Sequence, residues 1–352
     1  MSRRNGTIRI ADGTQLKHAD ISLPGVTRER TGDAWRYRDI NGRIIRKTDE
    51  IERLNRIALP PAYENAWYSP DPDGHIQAVG FDARGRRQYR YHPSFRAHQE
   101  AGKFDRCADF GRALPQIRKQ VAKDLARRKL DRERAVASVV RILDAGILRV
   151  GNEAYTKANK SFGATTLRMR HAKLKGHRLT LKFRGKSGQQ QEVAFNDRHL
   201  ARFVRRMADL PGQELFQYVN GDGEPAPVGS AMVNDYIHEK MGADFSAKHF
   251  RTWHASVIAL EIMLEALDAG NFDALTIKQV ALGVSDRLGN TPAIARKSYI
   301  HPHLLALIGD GARTLARLKR PRATRWLSSS ERTLIALLDK RRSVAAAVRA
   351  GC

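Results

Sequence analysis

Over the first hundred residues, apolar and polar positions alternate in short runs: TIRIAD from Thr7, AWRYRDI from Ala34, HIQAVGF from His75 and RQYRYH from Arg87. Period-two alternation bounded by turn residues predicts β-strands. Asn41-Gly42, between YRDI and RII, predicts a hairpin turn, and Asp82-Ala83-Arg84-Gly85 predicts another between QAVGF and RQYRY. From about Phe104 the period changes. GRALPQIRKQVAKDLARR and RERAVASVVRILDAG place apolar residues at helical spacing with charge on the opposite face. One interruption returns to alternation: LTLKF (179–183), a polar RGKSGQQ turn and EVAF (192–195) predict a hairpin inside a helical region. The stretch from Arg313 to Cys352 is rich in Arg, Ala and Leu, with SSSE at 328–331 as a helix start.

The expected class is therefore α+β. An N-terminal antiparallel β domain (1–100) precedes a mostly α-helical domain with a β-hairpin (101–312) and a basic helical extension (313–352). A chain of 352 residues is long enough for two domains with a sizeable core.

Charge narrows the partner. Sixty-three Lys and Arg against 37 Asp and Glu leave a net charge of +26, which points to a polyanion. No apolar run reaches the roughly 18 residues of a membrane helix, and MSRRNGTIRIADG is too polar for a signal h-region. Two cysteines, Cys107 and Cys352, make neither a disulfide framework nor a four-ligand zinc site, so a reducing cytoplasm is the simple expectation. The GKS at 185–187 is not a phosphate loop, because the first glycine of that motif would fall on Thr180. His238, His249 and His254 lack metal-site spacing. Chemistry without a metal or cofactor is expected.

Four segments remain, cationic and set at element boundaries: ILRVGNEAY, KFRGKSG, SAKHFRTWHA and LGNTPAIARKSYIHP. Singly, each basic residue reads as a solvated surface charge, and a tyrosine near a helix end reads as core or rim. In this order they resemble the catalytic domain of the type IB topoisomerases, particularly the compact bacterial and poxvirus-like branch, over roughly residues 20–310. The resemblance implies Arg149 and Arg251 as the two active-site arginines, Lys186 as the hairpin lysine and Tyr299 as the nucleophile. Asn290, in LGNTP, stands where the family commonly has His.

The chemistry asks for such a set. A phenol with an ordinary pKa of about 10 must attack an anionic phosphodiester, so the site must neutralise charge on the non-bridging oxygens. Two guanidiniums offer paired N–H donors for that purpose. The departing 5′-hydroxyl needs a proton, a task for Lys186, with Lys248 as assistant or as a simple phosphate contact. Asn290 can donate a neutral amide hydrogen bond, and Thr291 and Pro292 read as N-cap and N1 of a following helix. Exchanging a DNA phosphodiester for a phosphotyrosine diester needs no ATP, and the resemblance implies 3′ linkage.

In RGRRQYRYH, Arg84, Arg86, Arg87 and Arg90 surround Gln88, Tyr89 and Tyr91, with both tyrosines on one strand face. Similarity to the poxvirus-like relatives implies a strand that reads the major groove of double-stranded DNA; a core role for one tyrosine is the competing reading. Two domains joined near residues 95–105 imply a C-shaped clamp, acting as a monomer. A tyrosine recombinase shares the helical fold, the arginine pair and the nucleophile, but commonly has H-x-x-R where this chain has Lys248-His249-Phe250-Arg251. A non-enzymatic DNA-binding protein accounts for the charge but not for the ordered segments.

Overall fold

A computed structural model describes residues 6–10, 13–32, 34–83, 85, 87–242, 244–309 and 311–350. The chain divides into two compact units, 1–103 and 104–352.

In the first unit a short ribbon, β1 (Thr7–Arg9) with β2 (Gln15–Lys17), precedes β3 (Val26–Thr31), β4 (Ala34–Arg38), helix α1 (Thr48–Arg56), β5 (Glu64–Tyr68), β6 (Ile76–Phe81), β7 (Arg87–Tyr91) and α2 (Pro93–Asp105). Strands β3 to β7 form one antiparallel sheet in the order β4-β3-β5-β6-β7. Leu54 of α1 packs into its core with Val26, Tyr37, Leu59, Tyr68 and Ala78. The Tyr37 and Tyr68 rings meet edge to face at 5.5 Å, and the Tyr37 hydroxyl donates to Asn55.

The β-rich reading of this region holds, and it also contains a helix outside the strand pattern: TDEIERLNR forms α1, with Asp49 and Glu50 in its first turn and Arg53 and Arg56 in its last, complementing the helix dipole. One expectation needs correction. The Asn41-Gly42 step does turn the chain, but no strand pair follows. The return consists of a single bridge, Arg38 to Ile44, and an Ile45 N–H bond to the Tyr37 carbonyl before the chain leaves for α1. The second predicted hairpin is present: β6 and β7 pair from Phe81–Arg87 to Ile76–Tyr91.

The second unit contains α3 (Cys107–Leu125), α4 (Arg132–Gly146), α5 (Glu153–Asn159), β8 (Ala172–Lys175), β9 (Arg178–Arg184), β10 (Gln190–Asn196), α6 (Arg198–Met207), β11 (Gln217–Val219), β12 (Pro225–Pro227) and α7 (Ser230–Met241). Then come α8 (Ala247–Asp268), α9 (Ile277–Leu288), α10 (Pro292–Ser298), α11 (Pro302–Ala306), α12 (Ala312–Ala316) and α13 (Ser329–Ala350). The expected hairpin is β9–β10, extended by β8 into a three-stranded sheet. Helix α8 runs through the core. Phe250, Trp253, Ala259 and Leu260 are fully buried on it, and Gly111 of α3 lets the Trp253 ring approach its backbone.

Residues beyond 313 share this core. Ser328 and Glu331 cap α13 reciprocally, the Glu331 N–H to Ser328 Oγ at 3.1 Å and the Ser328 N–H to Glu331 at 2.8 Å. Leu334, Leu337 and Leu338 are buried against the other helices. The Glu331 carboxylate also accepts from Arg118 at 2.7 Å and from Trp253 Nε1 at 3.1 Å, while Arg118 donates to Asp144, which holds His254 at 2.8 Å. Burial pushes the Glu331 carboxyl up, but Arg118 and the cap bonds overcome it and hold it below its ordinary value.

A group whose folded-state pKa is depressed stabilises above the unfolded value and loses that contribution as pH falls through the folded one. Glu331→Gln is therefore expected to cost about 2 kcal/mol at neutral pH, within the range for weakening a buried ion pair whose cation keeps a second partner. The difference should shrink below about pH 4. Urea unfolding of both proteins at pH 7 and pH 3.5 measures it; an equal gap at both would remove the electrostatic explanation.

Candidate active site

Arg149 lies just beyond α4, where Ile147 takes a left-handed conformation (φ 55°) as the C-cap. The loop is fastened from the far side: the Arg149 carbonyl accepts from Ala164 N–H at 2.8 Å, and the Val150 carbonyl accepts from Thr165 N–H at 2.7 Å. Backbones approach closely because Gly163 faces Gly151. A methyl group on Gly163 would lie 2.6 Å from the Gly151 Cα and 2.8 Å from the Arg149 carbonyl oxygen.

Lys186 stands exposed at the tip between β9 and β10. The tip is closed by Gly185 N–H to Gln189 O at 2.7 Å, with Ser187 (φ 62°) and Gly188 (φ 79°) in left-handed conformations.

Arg251 comes from the second turn of α8. That helix starts at Ser246, whose N–H donates to His249 Nδ1 at 3.0 Å, so His249 is engaged in capping and in stacking on Phe110. Arg251 is 4% exposed. Its guanidinium donates to the carbonyl of Ile147, two residues before Arg149, and at 3.0 Å to the carbonyl of Leu288, two residues before Asn290. One side chain thus orders the loops that carry two others. Its Nε is buried with no protein partner. Burial first, and Arg149 second, push the guanidinium down to about 10, so it stays cationic at neutral pH.

Tyr299 follows α10 as its C-cap, and Thr291 caps the start of that helix with Pro292 at its first turn, as the sequence predicts. The Tyr299 ring lies 5.1 Å from the Arg251 guanidinium carbon. Ser256, fully buried on α8, donates to the Thr252 carbonyl at 2.9 Å, accepts from His301 N–H at 3.1 Å and lies 3.4 Å from the Tyr299 carbonyl, tying the backbone at Tyr299 and His301 to the helix bearing Arg251. Sequence reasoning missed Ser256, whose only sign is a small polar residue in the apolar run ASVIAL. Burial pushes the Tyr299 phenol up, yet Arg251, then Arg149 and Lys186, outweigh it and hold the phenol below its ordinary value. Three separated segments therefore act on one hydroxyl.

Asn290 follows the Gly289 C-cap of α9. Both polar atoms of its side-chain amide are buried without a protein partner, a costly state that a phosphate oxygen would relieve for the N–H. As a neutral donor it does less than a cation, so Asn290→Ala is expected to slow single-turnover cleavage by about tenfold, the scale of one hydrogen bond, and less than Arg251→Ala. Equal losses in the two variants would contradict the ranking. Lys248 lies exposed one turn before Arg251 and is not among the cations acting on the Tyr299 phenol. His254, bonded to Asp144, belongs to the α13 network.

In the first unit, Tyr89 and Tyr91 stack at 6.0 Å and are 39% and 45% exposed, which disposes of the core reading. Gln88 alternates to the other side of the strand and donates to Asp82 at 3.0 Å. Arg87 lies over the Phe81 ring, and Arg90 donates to the Ala58 carbonyl. Arg84 and Arg86 lie outside the described residues. Among the described residues, no helix is long and apolar enough to cross a membrane.

A half-buried phenol acted on by two arginines and a lysine is a set of groups chemically suited to phosphoryl transfer. Residues 92–313 match the family described as "Eukaryotic DNA topoisomerase I, catalytic core", and residues 34–82 match "Bacterial DNA topoisomerase IB, N-terminal domain". The chain is similar to DNA topoisomerase 1B of Acanthamoeba polyphaga mimivirus, 32% identical over 81% of this chain and 88% of that protein. DNA topoisomerase I of Monkeypox virus is 23% identical over 74% of this chain and 82% of the viral protein. DNA topoisomerase 1 of Mycosarcoma maydis is 28% identical over 54% of this chain but only 20% of the fungal protein. The chain belongs to the type IB DNA topoisomerases, an isomerase family acting on DNA, and the recombinase and non-enzymatic readings fall away.

Proposed function

We propose that this enzyme relaxes positive and negative supercoils by transient cleavage of one DNA strand, with Tyr299 forming a 3′-phosphotyrosyl bond. The observation that carries the reading is the convergence of Arg251, Arg149 and Lys186 on the Tyr299 phenol. Tyr299 Oη attacks the phosphorus as the phenolic proton passes to solvent water, and the P–O5′ bond breaks. Arg149, the free Nε of Arg251 and the Asn290 amide hold the non-bridging oxygens, where charge builds. Lys186 delivers a proton to the departing O5′. The number of phosphate ester bonds is unchanged, so the reverse steps reseal the strand without ATP, and side-chain cations supply the neutralisation for which a metal would otherwise serve.

A groove of about 820 Å³ beside the Arg149 loop, lined by Lys160, Arg168, Arg170 and a Lys157 paired with Glu153, together with Glu214, keeps an excess of positive charge with which to follow the phosphate backbone. In the first unit, Tyr89 and Tyr91 present the exposed aromatic face for bases or sugars. Gln88 would have to release Asp82 before it could contact an adenine edge. Arg87 supports the same strand, and the enzyme acts as a monomer.

The test is relaxation of positively and negatively supercoiled plasmid in EDTA without ATP, followed by end-labelling of the trapped complex. Relaxation of both signs, with a free 5′-hydroxyl that polynucleotide kinase labels without prior phosphatase, is the expected result. A requirement for ATP or divalent metal, or a blocked 5′ end, would overturn the mechanism.

A further inference from the structure

Gln191, the second residue of β10, lies between two glycines that each precede a proposed catalytic residue. A methyl group on Gly289, next to Asn290, would lie 2.0 Å from Gln191 Nε2; one on Gly185, next to Lys186, would lie 3.0 Å from Gln191 Cγ. The side chain therefore runs from beneath the hairpin tip to the C-cap of α9, filling the space that two absent side chains leave.

Both ends of this contact are conformationally constrained. Gly289 is held at φ 58° as the α9 cap, its N–H bonded to the Ser285 carbonyl, and Gly185 is pinned by its bond to Gln189. The β9–β10 ladder places Gln191 opposite Phe183, which is buried in the helical core. The base of the Gln191 side chain is thus rigid, whereas Lys186, five residues earlier on the turn, is exposed.

We infer that Gln191 is a positioning residue that docks the Lys186 hairpin tip against the Asn290 turn, setting where the lysine ammonium stands relative to the departing O5′. The inference rests on the reading of Lys186 as the proton donor. A shift of about 1 Å in a catalytic group can cost on the order of a hundredfold in rate, so a mobile lysine needs such a support. The role acts chiefly on proton delivery, because Lys186 is the weakest of the three cations acting on the Tyr299 phenol.

A substrate with sulfur in place of the bridging O5′ separates the two functions, because a thiolate leaves without a proton. Single-turnover cleavage by the full chain is measured on oxygen and sulfur duplexes for Lys186→Ala, Gln191→Ala and Gln191→Met. Gln191→Ala is expected to lose about tenfold or more on the oxygen substrate and to cleave the sulfur substrate within about threefold of wild type. Gln191→Met, which refills the volume, should recover most of the oxygen rate. Recovery of Lys186→Ala by sulfur without recovery of Gln191→Ala would overturn the positioning role, as would wild-type rates for Gln191→Ala on both substrates. Failure of sulfur to recover Lys186→Ala would instead overturn the proton-donor reading on which it rests.

Discussion

Tyr299→Phe is expected to abolish plasmid relaxation and covalent capture of DNA, with single-turnover cleavage reduced on the order of 10⁴-fold or more, the scale seen when a covalent nucleophile is removed. The substitution deletes one oxygen and with it the hydroxyl's interaction with Arg251, but leaves the ring beside that guanidinium. The bonds of Ser256 to the Tyr299 carbonyl and the His301 N–H also survive, because both lie in the backbone. Noncovalent affinity for a duplex should therefore stay within about twofold at fixed salt, the surface charge being untouched. The two measurements are a denaturing gel for the covalent adduct and fluorescence anisotropy for binding. Adduct formation by the variant would mean that another residue is the nucleophile, and loss of binding along with cleavage would mean that the phenol serves the fold.

Arg251→Ala should produce the next largest loss, on the order of 10²- to 10³-fold in cleavage, as for removal of a preorganised donor from developing negative charge. The expected loss exceeds that of Asn290→Ala for two reasons on this structure. Arg251 carries charge, and it anchors the carbonyls of Ile147 and Leu288 that fix the loops of Arg149 and Asn290. Arg251→Lys keeps the charge but cannot span both carbonyls, so an intermediate rate is expected.

The pH profile distinguishes the electrostatic share. With the guanidinium gone, burial dominates and the Tyr299 phenol rises. The phenolate fraction at any pH below that raised value then falls, so the deficit of Arg251→Ala should be greatest near neutrality and narrow as pH rises. A profile parallel to wild type would show that Arg251 acts through loop geometry and phosphate contact rather than through the phenol.

The pattern of apolar positions is enough to divide this chain into a strand-rich first part and a helical second part. Each local period is a property of a few consecutive residues. The same holds for the β9–β10 and β6–β7 hairpins, the Thr291-Pro292 helix start and the Ser328–Glu331 cap, since turns and caps are short-range chemistry. Helix α1 escaped because its nine residues bury only Leu54, too few apolar positions to display a period within a region of alternating strands. Arg149, Lys186, Arg251, Asn290 and Tyr299 stood out as candidates because their segments keep the order and neighbours of the family's motifs.

What the sequence by itself determined is thus the polyanionic partner and the class of fold, which follow from composition and local order; the candidate reacting groups came from the resemblance to the family. Only the tertiary structure decided that Arg251 holds the loops of two other site residues, that Ser256 ties down the Tyr299 backbone and that Gln191 fills the gap between Lys186 and Asn290. It also turned Gln88 toward Asp82 rather than alongside the exposed tyrosines. The bonds of Arg251 and Ser256 and the Gln191–Gly289 contact join residues far apart in the chain, through carbonyls and glycines whose sequence context is unremarkable. Packing alone brings them within bonding distance, and the lowered phenol of Tyr299 exists only because it does.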